Sequence, residues 1–600
     1  MNRSGLVALL RRLLEHLGRR RRWQLGLLLS LTLVSTFAEV ISLGAVLPFL
    51  GVLTTPEKVF HHPLAANLVR ALGISSPEEL VLPVTIAFAV SALAAGGIRL
   101  LVHWANTKFA FVVCADLSTE MYRRTLYQPY QVHVARNSAY VISGMTDKTF
   151  SIAFGVLAAL LTLTSTGILI VAVLCTMLAI DAAVAISAAI GFGASYGIVT
   201  WIFGKQLRRN SGRIAHESTR ALKVLQEALG GIRDVLLDGT QQLYCNIYRQ
   251  ANQPLRRAQG NNAFIGGSPR FAVEALAIAV IAVLTYALSQ RQGGITSALP
   301  TLGAIALGAQ RLLPALQNCY AAWASIVGNQ GSLSEMIDLL DQPVPEEMLQ
   351  PPPAPLPFKQ SIRLDAVSYR YEKEGVFVVS DLSITIPKGA RVGFVGHTGS
   401  GKSTTLDLIM GLLTPTRGQI LVDGRPIEGV NRRAWQRNIA HVPQSIFLAD
   451  ASLAENIAFG VPPEEFDMER VRQAARRAQI AEFIEGLPDG YQTRVGERGA
   501  RLSGGQRQRV GIARALYKRA SVLAFDEATS ALDNPTEREV MDAIANLDRE
   551  LTVLLIAHRL TTVRNCDIIF EFEQGRLAAE GSYEQLRATS PSFREIERTA

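Results

Sequence analysis

A chain of 600 residues, 48% hydrophobic and 18% charged, exceeds what one hydrophobic core organises, so at least two domains are expected. Much of the formal net charge of +9 flanks apolar runs, which assigns it to membrane topology and argues against a nucleic-acid partner. Five scattered cysteines, odd in number and without C-x-x-C spacing, argue against a disulfide framework or a zinc site.

Near the N-terminus Leu6, Leu9, Leu10, Leu13, Leu14 and Leu17 recur at helical spacing, the pattern of an amphipathic helix at a membrane interface. Arg19 to Arg22 then precede an apolar run too long for a secretory signal, so an uncleaved first transmembrane helix is expected. Six runs can cross the hydrocarbon, at about 23–53, 81–113, 151–178, 182–204, 264–289 and 296–328. Arginines and lysines crowd the N-terminus and the 205–257 connection, whereas the alternate connections hold only Lys58, Arg70 and Arg291; both termini are therefore expected in the cytoplasm. The connections 114–150 and 205–263 read as helical extensions of the spans.

Charges inside apolar runs are costly and face a bundle interior or a wet cavity. Here they are Glu39, Arg99, Arg270, Glu274 and Arg311. Arg99, Arg270 and Arg311 are candidate contacts for an anionic head group. The alternative is mutual pairing, since Arg270 and Glu274 share a helical face and Glu39 can neutralise another arginine across the bundle.

Seven prolines between Pro343 and Pro357 make a semi-rigid spacer. Domains are therefore expected at 1–340 (membrane), 341–357 (linker) and 358–600 (soluble α/β). The segment Gly396-His-Thr-Gly-Ser-Gly-Lys402-Ser403 has the spacing of a P-loop: Gly396, Thr398, Gly399, Ser400, Gly401 and Thr404 cradle phosphate at a helix start, and Lys402 bridges phosphates. Ser403 and Asp526, the latter after the apolar strand Val522 to Phe525, are the expected magnesium ligands, and Glu527 is placed to polarise water.

Leu502-Ser503-Gly504-Gly505-Gln506 lies about twenty residues before that acidic strand end, and together with the P-loop it resembles the signature of ATP-binding cassettes. The whole chain resembles an ABC exporter half-transporter: a polytopic membrane domain of six transmembrane helices fused to a cytoplasmic α/β P-loop ATPase. That resemblance implies ATP and Mg2+ as cofactors. It implies an adenine-stacking role for Tyr371, a magnesium- and water-contacting glutamine at Gln444, a D-loop at Ser530 to Asp533, a γ-phosphate switch at His558 and an exporter X-loop at Val495 to Glu497. It further implies coupling helices near Val134 to Ser143 and Arg233 to Tyr244, and a second identical or homologous chain whose ATP is capped by Ser503, Gly504, Gly505 and Gln506. Phe37 to Phe49, Pro269-Arg270 with Glu274, Gln310 to Pro314 and the outer-loop stripe Leu64, Leu68, Val69 and Leu72 are similar to PglK-type lipid-linked oligosaccharide flippases. An amphiphilic substrate, best matched by a polyprenyl-diphosphate-linked saccharide, in a bacterial inner membrane is implied; a peptide, lipid or drug exporter and an ATP-gated channel are the alternatives.

Overall fold

A computed structural model describes residues 5–45, 49, 51–53, 57, 60, 76–180, 182–289, 294–372, 374–527, 550–557 and 560–599. The outer-loop stripe from Leu64 to Leu72, the D-loop at Ser530 to Asp533 and His558 lie outside these residues. The chain divides into two compact units, one of residues 1–128 and 136–343, the other of 129–135 and 344–600.

The first unit is helical. The expected spans correspond to Arg19–Gly44, Val81–Leu126, Thr149 to Ile180, Ala182–Gly230, Pro269–Ser289 and Gly294–Gly328. Among the described residues, three helical segments meet both length and hydropathy for crossing a membrane: Arg19–Ser42, Pro77–Leu126 and Ser138–Leu178. Val81–Leu126 has 46 residues and Ala182–Gly230 has 49, which at 1.5 Å rise makes each about 70 Å long, over twice the hydrocarbon thickness. The spans and their polar extensions are thus continuous helices, because nothing in the sequence breaks the backbone hydrogen bonding where hydropathy falls.

The third span is irregular. Wide turns at Gly144–Lys148 and Ala153–Ala158 flank the short helix Thr149–Ile152. Glycines permit close approach here: a Cβ at Gly144 would meet Leu339 Cδ1 at 2.4 Å, and one at Gly155 would meet Asn329 Nδ2 at 2.3 Å. Lys148 is buried between them. Its Nζ donates to Thr219 Oγ1 at 2.8 Å and pairs with Glu335. Lys148→Met should strand the Glu335 carboxylate and cost about 3–5 kcal/mol, seen as a fall in Tm of the detergent-solubilised protein. Lys148→Met with Glu335→Leu should recover most of that loss, because two apolar side chains need no pairing.

The N-terminal helix Leu6–Glu15 departs from the interfacial expectation. Leu9, Leu13 and Leu17 are buried in a cluster with Phe109, Val113, Leu117, Leu333 and Ile337, so protein covers much of the stripe. Arg12 pairs with Asp341, and His16 Nε2 lies 2.7 Å from Asp341 Oδ1. Amphipathicity specifies an apolar face but not what buries it. Here the extension of Val81–Leu126 and the separate helix Gln330–Leu340 supply the cover.

The second unit is α/β. Strands β1 (Ser361–Tyr369), β2 (Val379–Pro387), β4 (Arg417–Val422) and β5 (Arg425–Pro426) form an antiparallel sheet in the order β2-β1-β4-β5. Strands β3 (Arg391–Gly396), β6 (Ile439–Val442), β7 (Val522–Asp526), β8 (Thr552–Ile556), β9 (Ile568–Glu573) and β10 (Arg576–Gly581) form the other, in the order β10-β9-β3-β8-β7-β6. Its strands are parallel except β10. Ile362, Leu364, Ile384 and Ile386 of one sheet share a core with Val392, Phe394, Leu554 and Phe570 of the other. Trp435, fully buried, closes that core edge-on to Phe358 and donates from Nε1 to Ile409 O at 2.7 Å. Because β3, β8 and β7 run parallel, their C-terminal ends fall on one rim, where α/β sheets bind ligands.

Candidate functional site

The P-loop leaves the C-terminal end of β3 at Gly396 and turns into the helix Lys402–Ile409. Gly396, Gly399 and Gly401 have φ of 142°, 83° and 98°, a path that L side chains rarely follow. At Gly396 a Cβ would also strike Phe572 O at 2.2 Å. The Lys402 ammonium folds back to donate to Gly396 O at 2.7 Å and His397 O at 2.9 Å. Burial pulls its pKa down while the Glu527 and Asp526 carboxylates oppose that shift. Ser400 Oγ is buried without a hydrogen-bond partner among the described residues, a polar atom suited to a phosphate oxygen. Thr404 is buried one residue beyond Ser403, and Thr398 stands at the loop's open edge.

Ser403 Oγ donates to Asp526 Oδ1 at 3.3 Å, so the loop and the end of β7 meet. Glu527 follows in a left-handed conformation, φ 51°, sparsely populated for a side chain of this kind and held by its N–H to Ile556 O at 3.1 Å. Gln444 Nε2 donates to Glu527 Oε2 at 2.5 Å. Ser403, Asp526, Gln444 and Glu527 therefore form one cluster from three separate chain segments. A hydroxyl, a carboxylate and an amide oxygen are the hard donors that magnesium prefers, and the set fits that ion. Asp407, which the motif reading passed over, stands nearby; burial, then the Asp526 charge, push its carboxyl up to about 6.

Tyr371 is half-exposed, with its hydroxyl 3.2 Å from Thr404 Oγ1 and its ring edge-on to Tyr369 at 5.1 Å. Its half-exposed ring can stack on a base. Tyr371→Ala should raise the KM for ATP by about 2- to 10-fold through lost stacking, with Tyr371→Trp near wild type, measured by steady-state hydrolysis.

A second element reaches this platform. The short helix Tyr130–Ala135 belongs to the α/β unit, and its Gln131 Nε2 donates to Tyr369 Oη at 2.8 Å. The coupling turn expected near Val134 to Ser143 thus resolves into two helices, Tyr130–Ala135 and Ser138–Ser143, of which the earlier one carries this contact. Hydropathy cannot locate such a contact, because Gln131 sits in an ordinary polar turn.

Ser503 caps the helix Gly504–Tyr517: its Oγ accepts from Gln506 N at 3.2 Å, and Gln506 Oε1 accepts from Ser503 N at 2.8 Å. The Gln506 amide oxygen is therefore engaged in the cap. Among the described residues no hydrogen bond or ion pair joins Ser503 to Gln506 with Gly396 to Thr404 of the same chain. Gly504 and Gly505 add no side-chain bulk at the helix start, where the first N–H groups of a helix are available to an anion.

In the helical unit Arg99 Nη1 lies 3.5 Å from Glu39 Oε1, and Arg270 Nε donates to Glu274 Oε1 at 2.9 Å. Gln317 Nε2 adds a bond to the same Glu274 oxygen at 3.2 Å. Both arginines thus have protein carboxylates, in separate pairs. The Arg311 side chain lies outside the described residues.

Residues 379–530 match the family model for the ABC transporter, and 25–298 match that for the ABC transporter transmembrane region. An ATP-dependent lipid A-core flippase of Cupriavidus metallidurans is 32% identical over 79% of this chain and 80% of its own. The protein of that name from Chromobacterium violaceum is 34% identical over 64% of this chain and 65% of its own. A solved bacterial Atm1-family ABC exporter with ATP bound superposes with a TM-score of 0.78 at 26% identity, covering 97% of this chain and 98% of that one.

Proposed function

The chain belongs to the ABC transporter family as an exporter half-transporter, an ATP hydrolase fused to its own transmembrane region, and from that premise we propose that two copies flip a saccharide-bearing anionic lipid across a bacterial inner membrane. The best match is a polyprenyl-diphosphate-linked oligosaccharide. The observation that carries the lipid-flipping reading is the similarity, over 79% of the chain, to a protein named an ATP-dependent lipid A-core flippase; the saccharide and the diphosphate come from the resemblance of the membrane segments to lipid-linked oligosaccharide flippases.

ATP phosphates would lie over the P-loop, against Lys402 and the outward N–H groups of the Lys402–Ile409 helix, with adenine on Tyr371. Ser403, Asp526 and Gln444 would hold Mg2+, which when bound spreads the charge that develops on the transferred phosphoryl group. Glu527 orients and deprotonates water, with Gln444 fixing its carboxylate. Ser503 to Gln506 of a second chain would close the site from the other side, with His558 and Asp533 as family-implied partners. Both termini and the ATPase would lie in the cytoplasm. Gln131 against Tyr369 would carry closure of the nucleotide site into the intracellular loop.

Arg270 keeps guanidinium nitrogens for a diphosphate, since Glu274 engages its Nε, and Arg311 is its expected companion; Arg99, with Glu39 beside it, contacts the head group away from the diphosphate. Proteoliposomes loaded on one leaflet with fluorescent polyprenyl-diphosphate oligosaccharide, or with labelled lipid A-core, test the reading. ATP-dependent loss of leaflet-selective quenching is expected for at least one. Movement of neither, or equal movement with a non-hydrolysable ATP analogue, would refute it.

A further inference from the structure

Helices Arg19–Gly44, Val81–Leu126, Ala159–Ile180 and Gly294–Gly328 line a half-open cavity of about 320 Å³ in which a cluster of polar side chains stands among apolar ones. Its volume lies at the lower end of small-molecule sites, roughly 300–1,000 Å³. Polar linings within a bilayer are costly, and a cluster of them marks a functional path.

The hydroxyls of the lining are committed one way, while Arg99, His103 and the amides of Asn106, Gln310 and Asn318 can also donate. Thr32 Oγ1 donates to Leu28 O at 2.8 Å, Thr36 to Thr32 O at 3.0 Å, Thr162 to Ala158 O at 2.9 Å and Thr166 to Thr162 O at 2.7 Å. Each hydroxyl proton is engaged by its own helix, so what these side chains offer a ligand is an acceptor lone pair. Asn106 Oδ1 is a further acceptor, buried and without a partner among the described residues. Glu39, its side chain 12% exposed, adds a carboxylate whose charge Arg99 balances at 3.5 Å. Gln310 and Asn318 bring amides that both donate and accept.

A site of committed acceptors beside a few donors, with its charge pair balanced, suits a ligand rich in hydroxyls, which donate and accept, and without net charge at that point. A phosphate has few protons to give to the acceptors, and Glu39 offsets the attraction that Arg99 would offer it. A hydrocarbon chain would leave the acceptors unpartnered. We propose that this cavity receives sugar hydroxyls of the transported lipid's head group, while the phosphate-bearing part binds elsewhere, at Arg270. The assignment rests on the reading of the protein as a flippase of a saccharide-bearing lipid and adds where the saccharide is recognised.

The test uses the full-length protein in nanodiscs with two photoreactive probes. One is a polyprenyl-diphosphate oligosaccharide with a diazirine on the sugar; the other is bare polyprenyl diphosphate with the diazirine near its head. Adducts of the first probe are mapped by mass spectrometry, and flipping of the same lipid is followed in proteoliposomes. Sugar adducts are expected within 162–169 and on the facing residues 32–39. They should fall about fivefold or more in Thr36→Val/Thr166→Val, which keeps shape and removes two acceptors, and persist in Thr36→Ser/Thr166→Ser. Labelling by the bare diphosphate should not change with either pair. Sugar adducts mapping elsewhere on a lipid that is flipped would overturn the cavity assignment and leave the transport reading intact. Adducts in the cavity from a lipid that is not moved would uphold the assignment and overturn transport. Absence of sugar adducts in the wild type overturns the assignment whatever the variants do.

Discussion

Glu527→Gln should lower steady-state ATP hydrolysis by about 10²- to 10⁴-fold, the range that a positioned general base contributes, while ATP still binds. The amide keeps the size of the side chain but not its basicity. Glu527 is the site carboxylate that Gln444 holds at 2.5 Å, whereas Asp526 faces Ser403. The two adjacent carboxylates thus have different neighbours and different expected roles. Asp526→Asn should therefore weaken magnesium binding and raise the magnesium concentration that hydrolysis needs, and Glu527→Gln should leave that concentration in place. Filter binding of labelled ATP against phosphate release separates these effects. Hydrolysis near the wild-type rate in Glu527→Gln would remove this residue from catalysis.

The second large effect concerns which chain completes each site. Ser503 to Gln506 make no hydrogen bond or ion pair to the P-loop of their own chain among the described residues, and a helix start at Gly504 and Gly505 suits phosphate from a partner. With composite sites, a heterodimer of one wild-type chain and one carrying both Lys402→Ala and Ser503→Arg should lose both, with turnover down by about 10² or more. Placing Lys402→Ala on one chain and Ser503→Arg on the other should spoil one site twice and leave the second intact. Differently tagged chains, purified in tandem, give each arrangement. If the doubly substituted chain retains one working site and the split arrangement retains none, each cassette uses its own signature.

The P-loop and the signature were legible because each is a local device. A phosphate cradle needs glycines with positive φ next to a helix start, and that demand falls on contiguous residues, Gly396 to Ser403. The signature works the same way, since a serine cap with glutamine three residues on is a local device that begins the helix Gly504–Tyr517. The spans were legible for a comparable reason, because the hydrocarbon sets one length that the chain meets run by run.

What the sequence by itself determined is therefore the motor, the membrane class and the identities of the costly charges. Tertiary structure alone decided what those charges and faces meet. Glu39 pairs with Arg99 sixty residues on, Lys148 with Glu335, Gln131 with Tyr369, and the N-terminal leucines with Phe109 and Ile337 rather than with lipid alone. Periodicity shows that a face must be buried or a charge compensated, since both follow from transfer out of water. The choice among partners depends on distances between helices far apart in the chain, which only packing sets. The acceptor-rich cavity has the same origin: its threonines are scattered over separate helices as ordinary residues, and they become one site only when those helices close around it.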